Sequence, residues 1–367
     1  MKIYFTGKYN ISELLSGPEK VAKRLFQYVS AINSQTEFIT FGFIEGNRRK
    51  MNEIFLQENI IQDKPVILKL GLLKIIFRLL HEKPEIVHIV TAEKYLIPLL
   101  LLKSIFRAKF IYTIHGIYKF ERKYFFINES IISKIKNSFL EHLLFSKSDH
   151  LVFLSKHSVE LCRKYYKINQ EKLSIIPNGV SNPVNKQSIN FNDRGELRII
   201  FFEGSGQSLN RGFDSLIKIL NGIRHLKIKL TVLGAKHKNC NLENIEIVYS
   251  NYLSEKDLFE LLRKHHIYID SLNYSTFPLL ALEAMVNGLI TIVSNKCGIS
   301  DYIDNHVNGF VFDLEKPEEI KTIIEDIFSS DYDLSKISEN AIKTTQSLEW
   351  NLIAEKYLAI YNRVIND

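Results

Sequence analysis

Cross-linking chemistry has almost no material in this chain: three cysteines, Cys162, Cys240 and Cys297, are scattered along 367 residues. Odd in number and without paired spacing, they exclude a disulfide framework or a cysteine-rich zinc site and point to a reducing, cytoplasmic compartment. Only eight prolines occur, beside 46% hydrophobic and 24% charged residues, which excludes fibrous and disordered classes. Long apolar runs are also missing. The opening MKIYFTGKYN has no signal-peptide core and reads as a buried strand and turn. The fattiest segment, 95–102, is cut by Lys103, far short of the roughly 20 apolar residues that span a bilayer. G-x-S-x-G, the P-loop and H-E-x-x-H are absent, so hydrolase and kinase readings lose their main support. No short-period repeat argues for a solenoid.

What is present suits two cores, since a chain of this length divides into domains of roughly 150 to 200 residues. The net charge of +7 is unevenly held: residues 1–190 carry 29 Lys and Arg against 16 Asp and Glu (+13), the remainder 19 against 25 (−6). A basic half of that size faces phosphorylated ligands or an anionic membrane surface. No nucleic-acid module is recognisable, and nucleic acid is not expected as a partner.

Short β-branched or aromatic runs alternate with longer amphipathic ones, the pattern of parallel sheets covered by helices. Strands are expected at 2–6, 37–41, 86–90, 109–114, 150–154 and 173–176, and again at 197–202, 228–233, 245–249, 267–270, 290–293 and 309–312. Helices are expected at 19–31, 72–81, 131–145 and 156–166, then at 211–223, 254–264, 278–287, 317–328 and 348–364. The Asn, Pro, Gly and Ser-rich stretch after Pro177 lacks apolar periodicity and reads as an interdomain linker. The division is therefore a first doubly wound domain at 1–180, a linker at 181–196 and a second at 197–347. Ligands of such sheets bind beyond the carboxyl ends of the strands, which places a site in the cleft between the two domains.

Four constellations fall just after strands. Ser16-Gly17-Pro18-Glu19 opens a helix whose amides and dipole could hold a phosphate, with Gly17 allowing close approach; a plain helix start accounts for it equally. Gly204-Ser205-Gly206 ends a strand in a glycine turn, followed by Arg211, a cation able to neutralise a diphosphate or simply a solvated helix-start residue. In Tyr274-Ser275-Thr276-Phe277-Pro278-Leu279-Leu280-Ala281-Leu282-Glu283, Thr276 or Ser275 can cap a helix. Glu283 is then a carboxylate among apolar neighbours, costly to bury unless a polar group such as a ribose diol meets it. His115-Gly116 ends the run Phe110–Ile114, where a histidine could meet a sugar hydroxyl or serve structure alone. Asp331-Tyr332-Asp333 has the look of a metal-binding acid pair but sits in a polar turn, and no metal site is assigned.

In order and spacing, SGPEKV, KPEIVHIV, FIYTIHG, SDHLVFLSKHS, KLSIIPNGV, RGFDSLI, FPLLALEAMVNGLITIVS, HVNGFVFD and LEWNLIAEKYLAIY resemble family 4 of the retaining nucleotide-sugar glycosyltransferases, also called glycosyl transferases group 1. The resemblance covers nearly the whole chain. It implies the α/β GT-B fold, two Rossmann-like doubly wound parallel-sheet domains facing across a cleft, with the terminal helix 348–367 crossing back onto the first domain. It implies a nucleotide-sugar donor bound by Gly17, Gly204, Arg211, Ser275, Phe277, Leu279, Leu280 and Glu283, with His115 reaching the transferred sugar. His115, Arg211 and Glu283 are the implied catalytic residues. Transfer would proceed with retention, without an obligatory metal or other cofactor, to a glycan or lipid-linked acceptor in surface polysaccharide synthesis. Independently of the resemblance, the basic first half and its segments 68–80 and 101–107, where bulky apolar groups alternate with cations, lead us to expect a peripheral position at the inner face of the cell membrane.

Two positions depart from the family pattern. Ser275 stands where a glutamate usually contacts the donor sugar, and Ser205 where an arginine usually follows the glycine, with Arg211 replacing a lysine. Asp270, at a strand end, is a candidate to compensate. The departures also keep open a catalytically silent GT-B binding subunit of a glycosyltransferase complex. A GT-B epimerase is the other alternative, against which the EAM-type segment counts.

Overall fold

The computed structural model describes residues 1–9, 16–41, 66–126, 129–182, 195–204, 212–234, 236, 242–329 and 332–367. The first sheet contains β1 (Ile3–Thr6), β2 (Thr36–Phe41), β3 (Val66–Leu70), β4 (Ile86–Ile89), β5 (Lys109–Ile114), β6 (His150–Phe153) and β7 (Leu173–Ile175). The second contains β8 (Leu197–Gly204), β9 (Ile228–Gly234), β10 (Ile245–Ser250), β11 (Ile267–Asp270), β12 (Ile290–Ser294) and β13 (Phe310–Phe312). Their orders are β3-β2-β1-β4-β5-β6-β7 and β10-β9-β8-β11-β12-β13, and the central pairings β1 to β4 and β8 to β11 are parallel like the rest. Both are the doubly wound α/β order expected from the alternating pattern, with the topological switch at β1/β4 and β8/β11.

The strands are buried on both faces because helices cover both. β1, β4, β6 and β11 have no residue outside the core. On one face of the first sheet Phe5, Phe26 and Phe38 meet in tilted and edge-on contacts. That face is closed by two helices packed together, Gly17–Ile32 and Trp350–Asn366, so the chain's last helix belongs to the first core. Buried polar groups tie it down: Tyr361 shares a 2.6 Å hydrogen bond with His88 on β4, His88 a 2.8 Å bond with Thr113 on β5, and Thr113 a 3.0 Å bond with Tyr357. The two passages of chain between the sheets run side by side, Val180 N donating to Leu348 O at 2.9 Å. Gly179 lies there against the Trp350 ring, where any Cβ would collide.

Several elements among the described residues differ from the sequence reading, the short helix Tyr118–Glu121 among them. β3 was hidden in the run VILKLGLLKIIF, whose apolar residues continue on both sides of Gly71; that glycine divides it into an edge strand and the helix Leu72–Glu82. The short helix Leu96–Leu101 and the polar helix Leu334–Gln346 also lay outside the expected set. Asp333 is the N-cap of the latter, accepting from Lys336 N at 2.9 Å, which accounts for an acid in that turn.

Candidate active site in the interdomain cleft

A cleft of about 1240 Å³ opens beyond the carboxyl ends of β1, β5, β8 and β11. Gly17, His115, Gly204, Ser275, Phe277, Leu279, Leu280 and Glu283 all line it, brought together from both domains. Arg211 and Ser205 lie outside the described residues.

The second domain enters the cleft through residues 272–278, which lie against the first domain. Thr276 Oγ1 donates to the His115 carbonyl at 2.6 Å, Ser155 Oγ donates to the Thr276 carbonyl at 2.8 Å, and Asn178 Nδ2 donates to the Phe277 carbonyl at 3.3 Å. These bonds correct the expected cap. The Thr276 hydroxyl is engaged with the other domain, and the helix Leu279–Val286 begins at Pro278, which has no capping side chain. Its first amides therefore lack a side-chain acceptor at the edge of the cleft, the arrangement that receives an anion. The first domain's helix differs. Its start carries the Glu19 carboxylate, which accepts from Ser16 N at 3.0 Å and pairs with Lys8 at 2.6 Å. Gly17 faces open cleft, with Leu279 the nearest group to a Cβ there, at 3.9 Å.

Gly204 and Gly234 end adjacent strands at positive φ, 69° and 111°. A Cβ on Gly234 would strike the Gly204 backbone. This close pair lets β8 stop with its last residue bare at the cleft wall.

Glu283 is 5% exposed, and its carboxylate is ion-paired with Lys20 of the first domain. Lys20 also reaches Glu255 at 3.4 Å, and Arg24 reaches Glu255 at 2.8 Å. A clasp of two cations and two carboxylates thus joins the helix Gly17–Ile32 to the second domain. Burial raises the Glu283 carboxyl above its ordinary range, while Lys20 opposes the rise. Burial would depress the Lys20 ammonium, but Glu283 and Glu255 hold it above its ordinary value.

His115 Nε2 is buried at the cleft with no hydrogen-bond partner among the described residues. Burial lowers the imidazole to about 4, so the ring is neutral near pH 7. Asp270 lines the cleft, but its carboxylate accepts from the Tyr268 hydroxyl at 2.9 Å and from Leu272 N at 3.3 Å. Those bonds tie it to its own strand end.

Sequence profiles place this arrangement in a family. Residues 186–344 match the family described as Glycosyl transferases group 1, and residues 16–182 match Glycosyltransferase Family 4. The chain belongs to the group 1 and family 4 glycosyltransferases. Over 238 residues, 62% of its length, it is 23% identical to the uncharacterized glycosyltransferase YqgM of Bacillus subtilis. Over 145 residues, 38% of its length, it is 25% identical to the N,N'-diacetylbacillosaminyl-diphospho-undecaprenol alpha-1,3-N-acetylgalactosaminyltransferase of Campylobacter jejuni. The matched stretches span 65% and 39% of those relatives' own lengths. Anabaena HepE, solved in complex with UDP-glucose, has the same fold: TM-score 0.70 at 16% identity, covering 99% of this chain and 100% of that one.

In this glycosyltransferase-family chain the sequence reading missed the cations of the first helix. Lys20, Lys23 and Arg24 all line the cleft. Lys23 and Arg24 follow Lys20 by three and four residues in the first half of that helix, and this spacing, which puts them on one face, was the available signal.

Proposed function

We propose that the chain transfers a sugar, with retention, from a nucleotide-sugar donor to a glycan or lipid-linked acceptor of a surface polysaccharide. The observation that carries this reading is the cleft itself. One cavity between two Rossmann-like domains gathers a buried carboxylate, three cations and, among the described residues, a helix start without a capping side chain and a histidine nitrogen without a partner. Nothing apolar could satisfy that set, whereas a nucleotide sugar offers a diphosphate, a ribose diol and sugar hydroxyls together.

On this reading the amides at Leu279 and Leu280 take the diphosphate, with Arg211 as a further cation. They stabilise the charge that grows on the departing nucleoside diphosphate, the largest contribution expected in a water-poor site. Glu283 receives the ribose hydroxyls in exchange for the Lys20 ammonium, and Lys20 is freed toward the phosphates. His115 Nε2 meets a hydroxyl of the transferred sugar. No metal is obligatory in this scheme. Support for the donor class comes from the HepE complex with UDP-glucose, and for a lipid-linked acceptor from the undecaprenol named for the Campylobacter relative.

The test is thermal unfolding with a set of nucleotide sugars in the presence of a chelator. A ligand at a hundred times its Kd adds about 2.7 kcal/mol to apparent stability. Stabilisation by at least one nucleotide sugar is expected. Glu283→Ala should lower turnover at least about tenfold, roughly 1.4 kcal/mol of transition-state stabilisation. Absence of any stabilised ligand overturns the reading, and binding without transfer to any acceptor favours the silent subunit.

A further inference from the structure

Gly116 makes room for a carboxyl that no group among the described residues holds. It follows β5 and His115, and a Cβ at this position would collide with the carboxyl of Glu121, one turn along the chain. Glu121 ends the short helix Tyr118–Glu121 and lines the cleft. Its carboxyl makes no hydrogen bond and no ion pair among the described residues. The neighbouring acid behaves differently: Glu141 accepts from Tyr118 N, Lys119 N and the Tyr166 hydroxyl. The nearby lysines are turned elsewhere, Lys119 over the Tyr166 ring and Lys123 over the Phe120 and Tyr124 rings. Glu121 is half-buried at the cleft wall, so its carboxyl is within reach of a ligand bound there.

The same wall of the cleft holds the unpartnered Nε2 of His115. Ser275 lines the same cleft, and where the family pattern has a carboxylate it offers only a short hydroxyl. We propose that Glu121, supplied by the first domain, is a sugar-positioning residue that acts beside His115 and takes over the hydroxyl contact that Ser275 is too short to make. The inference rests on the nucleotide-sugar reading of the cleft.

The protonation state fits the role. The titratable groups facing Glu121 are Glu141, Tyr112 and Tyr274, and His115 precedes Gly116 in the chain. Burial, reinforced by Glu141, pushes the Glu121 carboxyl up to about 8. At neutral pH it is therefore an uncharged acid, which donates one hydrogen bond and accepts another, matching a sugar hydroxyl on both counts. An ionised carboxylate would lose its donor and repel the donor diphosphate. A glutamine reproduces both the donor and the acceptor without titrating.

The experiment measures Kd by calorimetry for UDP, UDP-glucose, GDP and GDP-mannose with the full chain. The readout is the ratio of the nucleoside diphosphate Kd to that of its nucleotide sugar, which isolates what the sugar contributes. Glu121→Ala is expected to reduce this ratio at least about tenfold while leaving nucleoside diphosphate affinity within about threefold. Glu121→Gln is expected to restore the ratio. In the wild type the ratio should fall between pH 7 and pH 9, and in Glu121→Gln it should not. If Glu121→Ala fails to bind the nucleoside diphosphate, its fold is disturbed and the pH behaviour of Glu121→Gln decides. An unchanged ratio in Glu121→Ala, or the same pH profile in Glu121→Gln and wild type, overturns the proposal. Failure of every nucleotide sugar to bind the wild type is a different result, which removes the reading of the cleft on which the proposal stands.

Discussion

Lys20 is the residue on which the clasp across the cleft most depends, because its ammonium neutralises a carboxylate that has almost no contact with water. Removing one member of a buried ion pair is far costlier than the pair itself is stabilising, about 3 kcal/mol. Lys20→Met should therefore destabilise the protein, with a loss that depends on pH. Without Lys20 the folded-state pKa of Glu283 rises further above its unfolded value. Such a group contributes stability that is fully present below the unfolded pKa and is lost as pH rises through the folded one. Denaturant unfolding should show a small defect at pH 5 and a larger one at pH 8. An equal defect at both would mean that Glu283 is not the group Lys20 serves.

At the scale of elements, the terminal helix Trp350–Asn366 is joined to the first sheet through a neutral imidazole. His88 is fully buried, and burial lowers it to about 3. The folded state therefore resists a proton that the unfolded chain takes up near pH 6.5. Stability from this residue is present above that pH and is lost as pH falls toward the folded value. One proton corresponds to a slope of about 1.4 kcal/mol per pH unit. His88→Gln keeps partners for Thr113 and Tyr361 but cannot titrate. It is expected to be less stable at pH 7 by about 1–3 kcal/mol, with a pH slope between 4 and 6 shallower than the wild type's by about one proton. His115 and His150, both lowered to about 4, act in the same direction in both proteins and cancel from the comparison. Identical slopes would show that His88 is not the residue resisting the proton.

Across the whole molecule, the uneven charge acquires a surface. The helix Leu72–Glu82 buries only Ile75 and Leu79, leaving Leu73 81% and Phe77 66% exposed. Leu101, Leu102 and Ile105 are exposed as well, and on the helix Ile131–Lys147 so are Ile131, Ile132 and Ile135, beside Lys134 and Lys136. All belong to the basic first domain. We propose that these exposed groups of the first domain dock on an anionic membrane, apolar side chains at the headgroup boundary and lysines on the lipid charge, about 1 kcal/mol for each cation near the surface. Among the described residues no helix is long and apolar enough to cross a membrane. Co-sedimentation of the full chain should require anionic vesicles and weaken as salt rises. Equal recovery with neutral vesicles, or none with either, would sink the docking idea.

Local chemistry by itself determined the parallel α/β architecture, because strand runs of β-branched and aromatic residues alternate with helical periodicity at nearly every boundary. It also pointed to Glu283, since a carboxylate inside LLALEAMV breaks the pattern of its own helix. Glu121 was not legible. In YKFERKYFF an acid among cations reads as a solvated face, and only the fold sets it over Gly116 at the cleft wall, without a partner among the described residues. Lys20 likewise reads as the polar side of an amphipathic helix until the second domain brings Glu283 against it, 263 residues away. β3 was lost because VILKLGLLK carries a helix and a strand signal at once, and pairing with β2 decides between them. Periodicity reports what a residue prefers beside its chain neighbours. Which groups meet across a cleft depends on how two separately folded sheets are set face to face, and no local pattern carries that information.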